Sequence, residues 1–186
     1  IMWYVIQTVT GKEEELIAQI RKTVPKQYYR DCFLIEAEWL KRLGGKWQIS
    51  VRPLFPGYVF IDTDAPDDIF FSLRQVPKFS RLLGTDRFEF TAAAEEERQY
   101  LLKICGKSEE QQAKLPGRYL VALSTVETRA DGMIRRITGP LGLFRSQIER
   151  IHLHKRYAIV RLSLCHREQT ILFGFRLERG KGRENR

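Results

Sequence analysis

The chain has 186 residues, enough for one large domain or two small ones. Its 43% apolar and 30% charged residues are typical of a soluble globular protein and exclude a disordered one. No apolar run approaches the ~20 residues that span a bilayer, so we expect no membrane partner and a cytoplasmic location. Cys32, Cys105 and Cys165 are odd in number and far apart, which predicts reduced, buried thiols.

The positive charge is unevenly distributed along the chain. The net charge is +9, and from Arg118 onward 15 Lys and Arg stand against 6 Asp and Glu. Residues 1–117 carry 17 of each sign. A neutral front and a basic rear indicate two modules with different partners, and the partner of the rear module is expected to be a polyanion.

The first elements are a strand and a helix. Residues 2–9 alternate apolar side chains on both faces, which predicts a central strand. Thr10 and Glu13 have the spacing of a capping box at a helix start. Apolar residues then recur at helical spacing until Pro25 ends the helix. They are Leu16, Ile17, Ile20 and Val24.

Further elements follow in the front module. Two strand candidates, 32–40 and 46–52, flank Gly44-Gly45 and predict a hairpin. Asp64 is a predicted cap for a helix beginning at Pro66, and Thr91 for a later helix. A further strand is expected near Leu82 and Leu83. This alternation of strands and helices predicts an α+β fold, a two-layer sandwich of an antiparallel sheet with helices.

The segment from Arg52 to Ile61 is the most distinctive stretch. Its prolines, Pro53 and Pro56, fix an extended backbone before the apolar strand that begins at Tyr58. A rigid turn that presents Phe55 and Tyr58 is a candidate docking site for a partner. The alternative to a docking site is that this segment is simply a core strand with an unusual start.

The rear module is rich in β-type runs. Residues 107–117 are polar and end in Pro-Gly, which predicts an interdomain linker. Beyond it, five short apolar runs are separated by turn signals, and this pattern predicts a small closed barrel. The runs are 118–123, 133–138, 146–151, 157–164 and 170–175.

Three motifs together resemble the NusG family of transcription elongation factors over most of the chain. They are Trp3-Tyr-Val-Ile-Gln7, then Leu54-Phe-Pro-Gly-Tyr-Val-Phe60, then Ile137-Thr-Gly-Pro-Leu141 with His154-Lys-Arg156. The resemblance implies a NusG N-terminal (NGN) domain in residues 1–106, a linker in 107–117, and a KOW domain, an SH3-like β-barrel, in 118–186.

The resemblance also implies partners for the front domain. Within the family this domain binds the clamp helices of the RNA polymerase largest subunit, and Trp3, Phe55 and Tyr58 are the polymerase-binding candidates. For Trp3, a core residue that anchors the first strand is the favoured alternative. The edge with Arg74, Lys78 and Arg81 would face the non-template DNA strand, although an ordinary solvated face is favoured.

The basic rear module is most similar to specialised paralogues of the LoaP type. Those are processive antitermination factors whose KOW domain binds an RNA hairpin in the nascent leader. Arginine and lysine suit phosphates and stack on bases, so we expect RNA binding here. The candidate residues are Arg135, Arg136, Arg145, Arg150, His154, Lys155 and Arg156. A basic surface that serves only solubility is the alternative for any single arginine.

The pattern departs from the family in one loop and gives no support for catalysis. Leu143 and Ser146 stand where the KOW motif has glycines. No nucleophile, metal-ligand or phosphate-loop arrangement is present, so we expect no catalytic residues, metal or cofactor. The predicted function is a monomeric, non-enzymatic antitermination factor. A general elongation factor whose KOW domain binds a protein, or a ribosome-associated RNA-binding protein, are the alternatives.

Overall fold

A computed structural model describes residues 2–76, 90–106 and 119–180, and the chain forms two compact units. Unit 1 comprises Ile1–Ile35, Phe55–Tyr119 and Ser163–Arg167. Unit 2 comprises Glu36–Leu54, Leu120–Leu162 and Glu168–Arg186. The chain therefore crosses between the units several times.

Unit 1 contains an antiparallel four-stranded sheet. Its strands are β1 (Trp3–Gln7), β2 (Asp31–Phe33), β5 (Tyr58–Asp62) and β6 (Phe90–Ala92), in the order β2-β5-β1-β6. Strands β1 and β5 are interior, as their apolar faces predict. The predicted central strands are confirmed.

Helices pack on one face of this sheet. They are α1 (Glu13–Thr23) and α2 (Pro66–Arg74), and a third helix, α3 (Glu95–Ile104), follows β6. A short 3₁₀ helix, Lys26–Tyr28, follows α1. One core joins the sheet to α1 and α2, so the predicted helix-on-sheet arrangement is confirmed. Its members are Ile6, Leu16, Ile17, Ile20, Val24, Cys32, Leu34, Val59, Ile61, Ile69 and Leu73.

The predicted caps are wrong at all three helices. Lys12, not Thr10, occupies the N-cap of α1, and its side chain makes no capping hydrogen bond. The Glu13 carboxylate accepts hydrogen bonds from the amides of Gly11 and Gly57 instead of that of Thr10. Asp64 pairs with Arg30 instead of capping α2. Thr91 lies inside β6, and α3 begins after Ala94.

Unit 2 holds most of a hairpin from the front half of the chain. Strands β3 (Ile35–Leu43) and β4 (Lys46–Pro53) pair in register, and Gly44 and Gly45 form the two-residue turn with φ of 55° and 78°. Both values are positive, as a type I′ hairpin turn requires. Strand β7 (Tyr119–Val121) joins this sheet in the order β4-β3-β7, which leaves β4 at an edge.

A five-stranded sheet forms the rest of unit 2. Its strands are β8 (Ser124–Thr128), β9 (Ile134–Thr138), β10 (Ile148–His152), β11 (Tyr157–Leu164) and β12 (Arg167–Arg179), in the order β10-β11-β12-β8-β9. Strands β8 and β12 are parallel. The predicted β-rich rear is confirmed, but β8 was not predicted, and Pro140–Gln147 forms a 3₁₀ helix.

Several expectations fall on residues that the structure does not describe. The strand near Leu82 and Leu83 and the linker 107–117 are among them. Within residues 2–76, 90–106 and 119–180, no helix has the length and hydrophobicity to cross a bilayer.

Candidate nucleic-acid interface

The turn between β10 and β11 gathers most of the cations that the sequence singled out. Arg150 lies on β10, and His154 and Lys155 are exposed in the turn. Arg156 closes the turn at φ 61°, and its Nη1 donates to the carbonyl oxygen of Leu153. That bond holds the Arg156 side chain close to the turn, and we call Arg150, His154, Lys155 and Arg156 the β10–β11 cluster.

The β3–β4 hairpin contacts this turn through stacked rings. The Trp39 indole stacks on Tyr157, with centroids 5.2 Å apart and planes 22° apart. The guanidinium of Arg52 lies 3.3 Å from the centre of the Trp39 ring, and His152 lies 4.7 Å from Tyr157. We call Arg52, Trp39, Tyr157 and His152 the aromatic stack. It connects the hairpin to β10 and β11 within unit 2.

A second aromatic group lies near the tip of the hairpin. Trp47 keeps 37% of its surface exposed. The guanidiniums of Arg42 and Arg156 lie 5.9 and 5.2 Å from its ring centre. Arg42 and Trp47 are direct cross-strand neighbours, so the register itself brings them together.

The local field is strongly positive. Burial, and then the charges of Arg179 and Arg42, lower the pKa of Arg156. Partial desolvation and then Arg150 and Lys155 lower the pKa of His152. A lowered pKa favours the neutral imidazole, so at neutral pH His152 contributes a ring rather than a charge.

Acidic residues are missing from both segments that build this face. Residues 39–61 contain four Lys and Arg and no Asp or Glu, and residues 150–167 contain five and none. Within the described part of the chain, Arg42, on the Trp47 side of the hairpin, and Lys155 pair with no carboxylate. The nearby Arg161 does pair, with Glu149. The face therefore carries uncompensated positive charge that a polyanion can neutralise.

The remaining RNA-binding candidates lie on other elements. Arg135 and Arg136 are exposed on β9, at the opposite end of the strand order from β10. Arg145 is exposed in the 3₁₀ helix Pro140–Gln147. Sequence reasoning missed the hairpin residues Trp39, Trp47 and Arg42, although the acid-free run that holds them could have indicated this role.

The polymerase-binding candidates lie in unit 1, and two of them require a correction. Trp3 has 0% and Phe55 2% of its surface exposed. Trp3 packs edge-on against Phe33, Phe60 and Tyr119, and Phe55 packs against Tyr58 and Phe60. Residues this buried offer no surface to a partner, so Trp3 and Phe55 are core residues here.

Tyr58 remains half-buried at the turn that follows Phe55. Its hydroxyl accepts a hydrogen bond from Nε2 of Gln7 at 2.7 Å. The turn is attached to the start of α1, because Glu13 accepts hydrogen bonds from the amides of Gly11 and Gly57 at 2.9 and 2.7 Å. Tyr58 is thus the one polymerase-binding candidate that retains exposed surface.

The described residues contain no group of three or more His, Cys, Asp and Glu placed to hold a metal ion. Burial raises the pKa of both the Cys32 and the Cys165 thiol to about 12. Protonated thiols are poor nucleophiles and poor metal ligands. These two cysteines are therefore structural.

The family profile described as "Transcription termination factor nusG" matches residues 2–102, more than half of the chain. The chain belongs to the NusG family. The transcription termination/antitermination protein NusG of Halalkalibacterium halodurans is 26% identical over 180 residues, covering 93% of this chain and 94% of that protein. Those of Thermus thermophilus and Bacillus subtilis are 25% and 24% identical, over 94% and 93% of this chain. The resemblance to NusG seen in the sequence is confirmed.

The residues matched by the NusG profile include the distinctive motifs of the front half of the chain. The profile covers the Trp3 strand and the turn at Gly57. The matches to whole NusG proteins extend beyond it into the rear part of the chain, since each covers more than nine-tenths of the sequence. NusG-type transcription termination/antitermination factors are therefore the class to which this protein belongs.

Proposed function

We propose that this NusG-family protein is a specialised, non-enzymatic antitermination factor of the LoaP type. In this proposal an NGN domain in residues 1–106 binds RNA polymerase at its clamp helices. Residues 107–117 link it to an SH3-like KOW barrel in 118–186, which binds a hairpin in the nascent leader RNA.

The distribution of charge between the two units is the observation that carries the proposal. Unit 2 contains 17 Lys and Arg and 8 Asp and Glu, whereas unit 1 contains 15 of each. The entire net charge of +9 therefore belongs to the unit that contains the β10–β11 cluster and the aromatic stack. Cations beside aromatic rings, without acids, suit a folded RNA that offers both phosphates and bases.

Two simultaneous contacts explain how such a factor selects its operon. RNA held by unit 2 raises the local concentration of the factor at the polymerase that made that RNA. Polymerase contact then persists after the leader has been transcribed, and it disfavours pausing and hairpin-induced termination. Arg74, at the end of α2, would extend the contact toward the non-template DNA strand.

Tyr58 is the proposed polymerase contact, with Phe55 and Trp3 supporting it from the core. Co-purification of RNA polymerase with full-length protein tests this role. We expect Tyr58→Ala to reduce the polymerase recovered, while Tyr58→Phe, which keeps the ring, recovers most of it. Recovery of as much polymerase by Tyr58→Ala as by the unchanged protein would contradict the assignment.

RNA binding is tested by fluorescence anisotropy with the full-length protein. The probes are a stem-loop RNA and an unstructured RNA of equal length, each titrated between about 50 and 200 mM salt. The proposal predicts tighter binding to the stem-loop and a steep loss of affinity as salt rises. Affinity that is indifferent to both would favour a general NusG-type factor whose rear domain binds a protein.

A further inference from the structure

Trp47 is the large aromatic side chain of unit 2 that combines exposure with flanking cations. It lies on β4, an edge strand, and 37% of its surface is exposed. Arg42 and Arg156 lie 5.9 and 5.2 Å from the ring centre. These separations exceed the 3.3 Å between Arg52 and Trp39, so both guanidiniums lie over the Trp47 ring more loosely than Arg52 lies over Trp39.

The aromatic stack anchors the hairpin that carries this indole. Trp39 is already contacted by Arg52 and Tyr157, and Tyr157 also by His152. The stack therefore connects the hairpin to β10 and β11 and sets the distance between Trp47 and the β10–β11 turn. A platform that is held before binding loses little conformational entropy when a ligand arrives.

The neighbours of Trp47 suit a phosphate-bearing ligand. In the described residues Arg42 and Lys155 have no carboxylate partner. The nearest acidic residues in the hairpin sequence are Glu36 and Glu38, before its acid-free run, and Glu38 accepts a hydrogen bond from the amide of Leu123. A partly exposed indole beside two guanidiniums that pair with no carboxylate in the described residues suits an unpaired base and its adjoining phosphates.

We propose that Trp47 stacks on an unpaired base of the bound RNA, while Arg42 and Arg156 contact the phosphates on either side of that base. This inference rests on the proposed RNA-binding function and deepens it. The RNA site is then composite, because the hairpin Glu36–Leu54, from the front half of the sequence, completes a surface that the rear segment alone does not hold.

Affinity measurements on the full-length protein test the proposal. The variants are Trp47→Ala, Trp47→Phe and Ile49→Ala, where Ile49 is the matched control, 46% exposed and two residues along the same strand. The probes are a stem-loop RNA with an unpaired purine loop, a blunt RNA duplex of the same stem, and the stem-loop sequence made as DNA.

Stacking on one base predicts that Trp47→Ala weakens stem-loop binding at least about fivefold. Trp47→Phe and Ile49→Ala should stay within about twofold of the unchanged protein, and the blunt duplex should not respond to Trp47→Ala. An unchanged stem-loop affinity in Trp47→Ala would overturn the proposal without contradicting RNA binding by the protein.

Other outcomes distinguish a failure of base stacking by Trp47 from a failure of RNA binding as such. Equal losses on stem-loop and duplex would overturn base stacking, because the duplex offers no unpaired base. DNA binding as tight as RNA binding, with the same dependence on Trp47, would overturn the assignment to RNA. If the unchanged protein binds none of the probes, both this inference and the proposed RNA-binding function fail.

Discussion

The carboxylate of Glu13 accepts a hydrogen bond from the backbone N–H of Gly57 at 2.7 Å, across 44 residues of sequence. The backbone of the same glycine also accepts one, because the Thr8 amide donates to the Gly57 carbonyl at 2.7 Å. The start of α1 and the end of β1 are thereby both attached to the turn that precedes β5. This arrangement explains why the turn is rigid.

Gly57→Ala should destabilise the protein more than an ordinary glycine substitution. Gly57 has φ 82°, and a Cβ there would lie 2.9 Å from the carbonyl oxygen of Thr8. Gly45 has a similar φ of 78° with open space around it, so Gly45→Ala measures the backbone cost alone. We expect about 1–2 kcal/mol for Gly45→Ala and a further ~1–3 kcal/mol for Gly57→Ala. Equal losses in urea unfolding would contradict a steric role.

Glu13→Gln should also lower stability. The amide side chain keeps the size of Glu13 but replaces one acceptor by a donor, which leaves one of the two backbone amides, that of Gly11 or that of Gly57, without its acceptor. We expect a loss of about 1–3 kcal/mol in the free energy of unfolding. Glu14→Gln is the control, because Glu14 is an exposed carboxylate in the same first turn of α1. If both variants lose equally, the effect is one of helix charge only.

These contacts show what the sequence could reveal and what it could not. The strands β1 and β5 and the Gly44-Gly45 hairpin were predictable because local alternation and turn residues determine them. Glu13 was assigned to a local capping box because the sequence shows only near neighbours, whereas its actual partner is Gly57. Strand β8 was not predicted, because two of its three buried residues, Ser124 and Thr128, are polar and give no apolar alternation.

In the candidate site, too, local sequence features were predictable and tertiary contacts were not. The sequence predicted seven RNA-binding candidates, and four of them, Arg150, His154, Lys155 and Arg156, lie on β10 or in the turn that follows it. The β3–β4 hairpin was predicted as an element, but its contact with Tyr157 depends on tertiary packing that no local pattern encodes. Trp3 and Phe55 were predicted at a surface because aromatic residues are common both in cores and in interfaces. Burial decides between the two roles, and here it favours the core.

The Cys32 thiol should stay unreactive where ordinary thiols are largely ionised. Burial raises its pKa to about 12, above the usual value of about 8.5. At pH 9 an unfolded Cys32 is mostly thiolate, and the folded one is protonated. Peptide mapping after iodoacetamide treatment at pH 9 should therefore find Cys32 labelled far more slowly in the native protein than in urea. Similar rates would show that the thiol is accessible and ionised.

Removing two cations at the β10–β11 turn should change how RNA affinity depends on salt. The variant Arg150→Ala with Lys155→Ala removes two exposed charges without a φ constraint. Each lost phosphate contact reduces the slope of log affinity against log salt by about 0.7–0.9, so the pair should reduce it by about 1.5.

The control for that experiment removes equal charge from unit 1. Lys22 and Lys103 are exposed in the last turns of α1 and α3. Their double alanine variant should leave the salt slope unchanged. A similar change in both double variants would mean that net charge alone, and not the turn, determines binding.

The central claim is that the hairpin and the β10–β11 turn of unit 2 form one RNA-binding face. Photo-crosslinking tests it most directly, with a stem-loop RNA that carries 4-thiouridine in its loop, the full-length protein, and peptide mass spectrometry. We expect crosslinks both in the peptide that contains Trp47 and in the one that contains Lys155. Crosslinks confined to unit 1, or to the β9 peptide with Arg135 and Arg136, would contradict it.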